Sequence, residues 1–521
     1  MDSLAKGASF ELDSLVLPPV LPLPSLPSAH VAVRILLGLA VVVVSIILSS
    51  SLFGKKQRLA PGIPIVGGSD KESIKKNRIR FIHDGMAMLA EGYEKNKGSM
   101  FYVPSVLGER LMIPAKYVEE LKTAPIDKVD FVATFQEMFE GKYTTMGSRS
   151  TLHPRVVKAQ LNHHLTDVMP GVQEEIRNAF EEDFPACDDW TPVPVVDRLT
   201  QIVARVSSRM FGGTTLSENK EWIKASIAFA VDGFIGAQAI KQYPHILRPI
   251  MQYTIPALRQ ISEHYRAAER AAIPLLNERE RTGDKALDLL YWMSEQAQGD
   301  EKDKAFLAGI LLKVSFAAIH TSAAAPAQLI FDLCAMPEYI EPLRKELEGV
   351  LHPDGSIDKN GFHKLAKMDS IMKESQRFNP LLLITFERVV TEDYKLKDGF
   401  VIPANTTIGV PTQAITMDPN IYPDPETFDG FRFEKERAKK TENAGRQVYA
   451  ASNHDSMAFG YGRHACPGRF FASNEIKAIM GYLLLNYDMK FAEGQTRPKS
   501  LLFETQNLPD HEATVLFRRR Q

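Results

Sequence analysis

Apolar residues run unbroken from Ile35 to Phe53 (ILLGLAVVVVSIILSSSLF), about the length a helix needs to cross the hydrocarbon core of a bilayer. No charge interrupts the run. Lys55, Lys56 and Arg58 follow it at once, whereas Asp2, Glu11 and Asp13 offset Lys6 and Arg34 before it. That basic bias predicts a single-pass transmembrane anchor at 35–54 with the body on the cytosolic side. The run is long for the apolar core of a signal peptide, starts late and has no clear small-residue cleavage site. Prolines at 18, 19, 22, 24 and 27 make 1–34 a non-helical lumenal tail. Pro61-Gly62-Ile63-Pro64 makes 55–68 a stiff, basic linker rich in Pro and Gly.

Beyond the linker, alternation from Phe101 to Ile113 around Leu107-Gly108 predicts a hairpin, and Tyr117 to Leu121 begins a helical pattern. From Arg149 to Asn379 the apolar period is helical, punctuated at Thr191–Pro194 and Gly212-Gly213. Phe306 to Met336 is apolar on nearly all faces, as in a helix interior to a large protein, and Pro326 is expected to disrupt it. Short strands are predicted at Glu387–Val390, Tyr394–Leu396 and Val401-Ile402, with Asp398-Gly399 as a turn. Ala472 to Leu485 reads as the last helix. The fold class is mainly α with a smaller β region.

Composition changes this picture little. The chain has 521 residues and no Gly/Ser-rich or low-complexity break in its middle, which predicts one body over 69–521. A formal net charge of -2 offers no broad basic field for nucleic acid. The three cysteines, Cys187, Cys334 and Cys466, are far apart and form no CxxC pair. A disulfide framework and a four-cysteine zinc site are both excluded.

One cysteine stands apart. Cys466 lies in Phe459-Gly460-Tyr461-Gly462-Arg463-His464-Ala465-Cys466-Pro467-Gly468, a Gly-rich loop entering an apolar helix. Gly460, Gly462 and Gly468 let the backbone bend tightly and approach a flat ligand. A thiol at a helix start is expected to have a lowered pKa, which suits a metal ligand. Cys187 and Cys334 read as inert buried residues. Glu374 and Arg377 lie three residues apart on one helical face, close enough to pair. Arg463 reads as a solvated charge.

The decapeptide resembles the haem-binding signature of the cytochrome P-450 family, FxxGxxxCxG with a basic residue two before the cysteine, here His464. Glu374-Ser375-Gln376-Arg377 resembles the family's ExxR, and Phe428–Phe433 looks like the loop that brings a third partner, Arg432, to that pair. The resemblance covers the body after Pro61. It implies the family fold, a haem b (iron protoporphyrin IX), and Cys466 as proximal iron ligand, whose electron-rich sulfur favours O–O cleavage. Phe459 would shield the sulfur. His464, Arg388 and Lys158 would contact the haem propionates, and Glu374, Arg377 and Arg432 would form a structural triad.

Ala317-Ala318-Ile319-His320-Thr321-Ser322 is similar to the distal-helix motif of the family. There Thr321 would deliver protons to oxygen, beside a local opening of the helix. His320 occupies the place of the usual acid, as a proton relay or as a core residue. The plain alternative for Thr321 is a hydroxyl bonded back to a carbonyl one turn earlier. Phe131, Phe135, Phe234, Leu382, Leu383 and Phe503 would line the substrate pocket by analogy.

Phrases such as FAAIHTS and FGYGRHACPGRFFA look most like fungal secondary-metabolism members. The resemblance therefore implies a monooxygenase inserting one atom of O2 into an apolar small molecule, terpenoid or indole-terpenoid in kind. NADPH would supply electrons through a separate NADPH-cytochrome reductase, since the chain has no dinucleotide fingerprint. The endoplasmic reticulum membrane would hold the anchor. Two rivals stay open: a haem-thiolate isomerase or dehydratase that needs no reductase, and a non-enzymatic haem sensor.

Overall fold

The computed structural model describes residues 57–439 and 444–521. The tail expected at 1–34 and the anchor expected at 35–54 lie outside the described residues.

The long helices are α1 (Lys71–Lys95), α2 (Leu165–Asp183), α3 (Val195–Gly212), α4 (Lys220–Lys241), α5 (Pro256–Thr282), α6 (Lys304–Ala335), α7 (Ile340–Glu348), α8 (Ala366–Phe378) and α9 (Arg469–Asn486). Asp303 caps α6 by accepting from the N–H groups of Ala305 and Phe306. The helix has no polar face because its surroundings are protein. Leu311, Leu312, Ile319 and Phe331 join Ile202 and Val206 of α3 and Ile479 and Leu483 of α9 in one apolar core. Pro326 was expected to break this helix, but α6 continues through it to Ala335.

The strands are β1 (Phe101–Ser105), β2 (Gly108–Met112), β3 (Val129–Asp130), β4 (Thr191–Pro194), β5 (Thr385–Val390), β6 (Tyr394–Lys395), β7 (Val401–Ile402), β8 (Thr406–Val410), β9 (Tyr487–Lys490), β10 (Leu501–Phe503), β11 (Gln506–Leu508) and β12 (Thr514–Arg519). The main sheet has the order β1-β2-β8-β5-β3, antiparallel except where β2 runs parallel to β8. Its inner face packs Tyr102, Leu111, Phe386, Ile408 and Val410 together. The hairpin at 101–113 and the β6–β7 pair fall where alternation predicts them. Thr191–Pro194, expected as punctuation between helices, is instead strand β4, antiparallel to β12. Its partner lies more than 300 residues away at Thr514–Phe517, beyond the reach of local pattern.

The segment expected as a linker lies along β1. Tyr102 N donates to Pro64 O at 2.8 Å and Val66 N to Tyr102 O at 2.9 Å, and Gln57 bonds Glu109.

Candidate active site

Three backbone bonds shape the cysteine loop. Cys466 N donates to Phe459 O at 2.8 Å, Gly460 N to Met457 O at 2.7 Å and Ala465 N to Gly462 O at 3.1 Å. Gly460 and Gly462 have φ of 70° and 71°, the left-handed region that favours glycine. A Cβ on Gly462 would also stand 2.8 Å from the Cβ of Lys122. Gly468 does not share that need, contrary to expectation. Its φ is -89°, which any residue adopts. Phe459 packs edge-on against Tyr449 at 5.4 Å.

The thiol of Cys466 also departs from expectation. The N–H groups of Gly468 and Arg469 and the Arg469 charge do favour the thiolate, but burial outweighs them and raises the pKa. A helix start alone therefore does not ionise this sulfur. A bound metal cation would. Burial alone pushes the Cys334 thiol up to about 12, and Cys187 is buried.

Beside the loop, Val157–Leu161 widens into a π turn, a feature often found at functional sites. Asn162, just after it, reaches Pro467 O with Nδ2 at 3.3 Å, and Lys158 is exposed within the turn. Arg463, expected as a solvated charge, ties the loop down by donating to Ala124 O at 2.6 Å.

Arg388 and His464 converge on Phe131. The guanidinium stands 4.8 Å from the Phe131 ring centroid, and the imidazole stacks on the ring at 4.9 Å. A β-bulge aims Arg388. The pairing of β5 with β8 shifts register between Thr385 and Arg388, where Phe386 has φ 53°. Burial, then the nearby Arg463, lowers the Arg388 pKa to about 10. Burial, then Arg388 and Arg463, lowers that of His464 to about 4. Nη1 of Arg388 donates to Glu387 O at 2.7 Å, while Glu387 itself pairs with Arg110. The cluster is thus rich in buried donors.

On α6, every residue from Leu307 to Leu312 is buried, but an arc comprising Lys313, Val314, Phe316, Ala317, Ala318, His320 and Thr321 is not. Ala317 and Thr321 are exposed within it. Small side chains on an accessible stripe of a core helix leave room for a flat group. Thr321 Oγ1 donates to Ala317 O at 2.8 Å and is 3.2 Å from Ala318 O, the back-bonded arrangement. The expected opening of the helix is absent, since α6 runs on unbroken. His320 is 3.1 Å through Nε2 from Ile227 O of α4, and burial lowers its pKa. The ring is therefore neutral and donates to a neighbouring helix, an arrangement that suits a contact between helices better than a titrating relay.

Glu374 and Arg377 of α8 form a bidentate pair at 2.8 and 2.9 Å. Arg432 Nε joins Glu374 Oε1 at 3.2 Å and Asp429 N donates to the same oxygen at 3.1 Å. The remaining donors of both arginines fasten carbonyls of the 416–427 segment, among them Thr416, Pro425 and Thr427. Glu374 is completely buried, so this network is satisfied as buried charge requires.

Comparison with known proteins gives the geometry its context. The profile of the cytochrome P-450 family matches residues 131–516. The chain is 37% identical over 467 residues to cytochrome P-450 monooxygenase braC of Annulohypoxylon truncatum, covering 88% of this chain and 92% of that protein. It is 37% identical to cytochrome P-450 monooxygenase AN1598 of Emericella nidulans, covering 85% and 84%. It is also 34% identical to ent-kaurene oxidase of Fusarium fujikuroi, covering 88% of each. The chain belongs to the cytochrome P-450 family.

As a cytochrome P-450 it is an oxidoreductase of the monooxygenase type, consistent with the fungal secondary-metabolism members, and the family implies haem b. The residues present fit that group. One partly accessible thiol stands at a helix start, the buried Arg388 and the half-buried His464 supply donors, and the α6 arc carries the small side chains of Ala317, Ala318 and Thr321. Among the described residues no three of His, Cys, Asp and Glu converge as metal ligands, in keeping with one protein ligand.

The expected pocket residues divide into two aromatic groups and a remainder. Phe131 meets Phe135 edge-on at 5.1 Å, and a chain of rings continues through Phe139 to Phe316 on α6. Phe234 packs against Phe503 at 5.5 Å. Leu382 bridges to Gln506. Leu383 does not fit the expected pocket. It is fully buried among Val66, Phe81, Met88 and Phe101, facing the sheet and α1.

Sequence reasoning missed Phe316 and Glu475. Glu475 of α9 is completely buried, and Ser207 donates to it at 2.8 Å. Its Oε2 has no partner, and burial raises its pKa to about 7. An acid amid the apolar run of 469–486 was the available signal.

Proposed function

We propose that the protein is a membrane-anchored haem-thiolate monooxygenase that inserts one oxygen atom from O2 into an apolar small molecule of terpenoid or indole-terpenoid kind. Electrons come from NADPH through a separate membrane-bound reductase. Residues 35–54 anchor the chain in the endoplasmic reticulum membrane with the catalytic body in the cytosol. The observation that carries this reading is the pairing of a single loop-held cysteine with an accessible, small-residue arc on a buried helix. The relative named ent-kaurene oxidase supports the substrate class.

Cys466 is the iron ligand, and Phe459 stands beside it at the loop entrance. Arg388, His464 and Lys158 hold the propionates by charge-assisted hydrogen bonds. Haem, when bound, supplies the oxygen activation that no side chain can. The protein's own tasks are then positioning and proton supply. Thr321 holds a hydroxyl proton at the accessible face, and release of its bond to Ala317 O frees the hydroxyl to donate to a new partner while accepting from another donor. His320 keeps α6 seated on α4. Phe131, Phe135, Phe139 and Phe316 form one apolar wall, and Phe234 with Phe503 another. Glu374, Arg377 and Arg432 hold the segment ahead of the cysteine loop.

The reduced protein with carbon monoxide should show the red-shifted Soret band of thiolate ligation. Membranes containing the protein and a fungal reductase should convert a diterpene hydrocarbon to an oxygenated product only with NADPH and O2. Turnover without either would favour the isomerase reading instead.

A further inference from the structure

Lys313 is the one basic side chain on the accessible arc of α6 besides His320. It lies eight residues before Thr321 on the same helix, about 12 Å along the axis at 1.5 Å per residue. At 100° per residue, Lys313 and Thr321 are also within about 80° of each other around the helix. Both therefore border one strip, with Val314, Phe316, Ala317 and Ala318 between them.

No hydrogen bond or ion pair engages Lys313 among the described residues, and burial alone acts on it, lowering its pKa. Its titratable neighbour is His153, in the short helix Leu152–Val156, where burial and then the Lys313 charge lower the pKa to about 4. His153 Nδ1 is buried without a partner. Lys313 thus stands unpaired at one end of an apolar strip, and the orphaned imidazole of His153 senses its charge. Lys313 is only partly accessible, and a cation partly withdrawn from water without a counter-charge carries a cost that an anion arriving with the ligand would remove. One ammonium and one neutral imidazole match a monoanion. A phosphate would call for more donors, of the forked arginine kind.

We infer that Lys313, assisted by His153, binds the carboxylate of an apolar acid whose hydrocarbon part lies along α6 toward Thr321. The ligand class becomes an amphipathic acid, either substrate or product of successive oxidations, with the reacting carbon remote from the acid group. This inference rests on the reading that the α6 arc faces the substrate.

The test uses the full-length haem-loaded protein and paired probes: dodecanoic acid with its methyl ester, and abietic acid with its methyl ester. Dissociation constants come from the spin-state difference spectrum, alongside haem content and the carbon monoxide band. Wild type should bind at least one acid about 10- to 100-fold more tightly than its ester, the range expected for a hydrogen bond to a charged group. Lys313→Met should abolish that ratio with haem content unchanged, and Lys313→Arg should retain most of it. Equal binding of acid and ester by wild type, or a ratio that survives in Lys313→Met, would overturn the inference. So would loss of haem from Lys313→Met while Lys313→Arg keeps it, since the carboxylate held would then be the porphyrin's own. Failure of the underlying site reading is distinguishable, because neither acid nor ester would then give a spin-state change in wild type.

Discussion

Around Cys466 the protein's bonds are dense and local, whereas around Thr321 they are few and mostly within one helix. The cysteine loop is closed by three backbone bonds and pinned by Arg463 to Ala124. Behind it the Glu374 carboxylate accepts from Arg377, Arg432 and the Asp429 backbone. On α6, the Thr321 hydroxyl bonds only its own helix, and His320 bonds α4. The difference follows from what each side must do. On the proposed reading, a cysteine that is to hold a metal has to be kept still, while a face that is to admit oxygen has to leave space and a hydroxyl able to change partners. Damage to the first region should therefore appear as lost structure, and damage to the second as lost rate.

The most severe test of that contrast is Cys466→Ser, which should eliminate the thiolate band in the reduced carbon monoxide spectrum. Retention of the band would remove the proximal assignment altogether. Glu374→Ala should come next, because it strands the buried Arg377 and the half-buried Arg432. A loss of about 3–5 kcal/mol is expected, read as a lower denaturation midpoint and poor haem retention. Thr321→Ala should instead leave the unfolding curve within about 1 kcal/mol of wild type. Product formation should fall on the order of 10²-fold, with NADPH consumption diverted to peroxide. A large stability loss in this variant would erase the proposed distinction.

Glu475 sharpens the contrast through pH. Its folded pKa of about 7 lies above its ordinary value of 4.5, so the folded state binds the proton more tightly. Stability from this group is full below 4.5 and is lost as pH rises toward 7, with a slope of up to about 1.4 kcal/mol per pH unit. Glu475→Gln should flatten that segment of the denaturation profile, and an unchanged slope would show that the group does not titrate there. The smallest effect is expected for His320→Gln, which can keep a donor toward Ile227. Turnover within about threefold of wild type and a stability change below about 1 kcal/mol should result. A loss as large as that of Thr321→Ala would restore the proton-relay role to His320.

Local pattern in the sequence determined a good deal. The period of 306–336 and the alternation at 101–113 defined α6 and the β1–β2 hairpin, since both depend on residues a few positions apart. The Gly-rich decapeptide singled out Cys466 as the candidate ligand, because the turn glycines and the cysteine sit in one short stretch. The spacing of Glu374 and Arg377 determined their pairing for the same reason. Only the tertiary structure decided what depends on distant partners. It made Thr191–Pro194 a strand by supplying β12, and it kept α6 continuous through Pro326 by packing around it. It turned Leu383 into the core beside Phe81 and His320 toward Ile227. It raised the Cys466 pKa where the helix start alone predicted a fall. Burial and charge environment are sums over the whole fold, and no window of the chain contains them. They leave Lys313 as a cation without a counter-charge among the described residues.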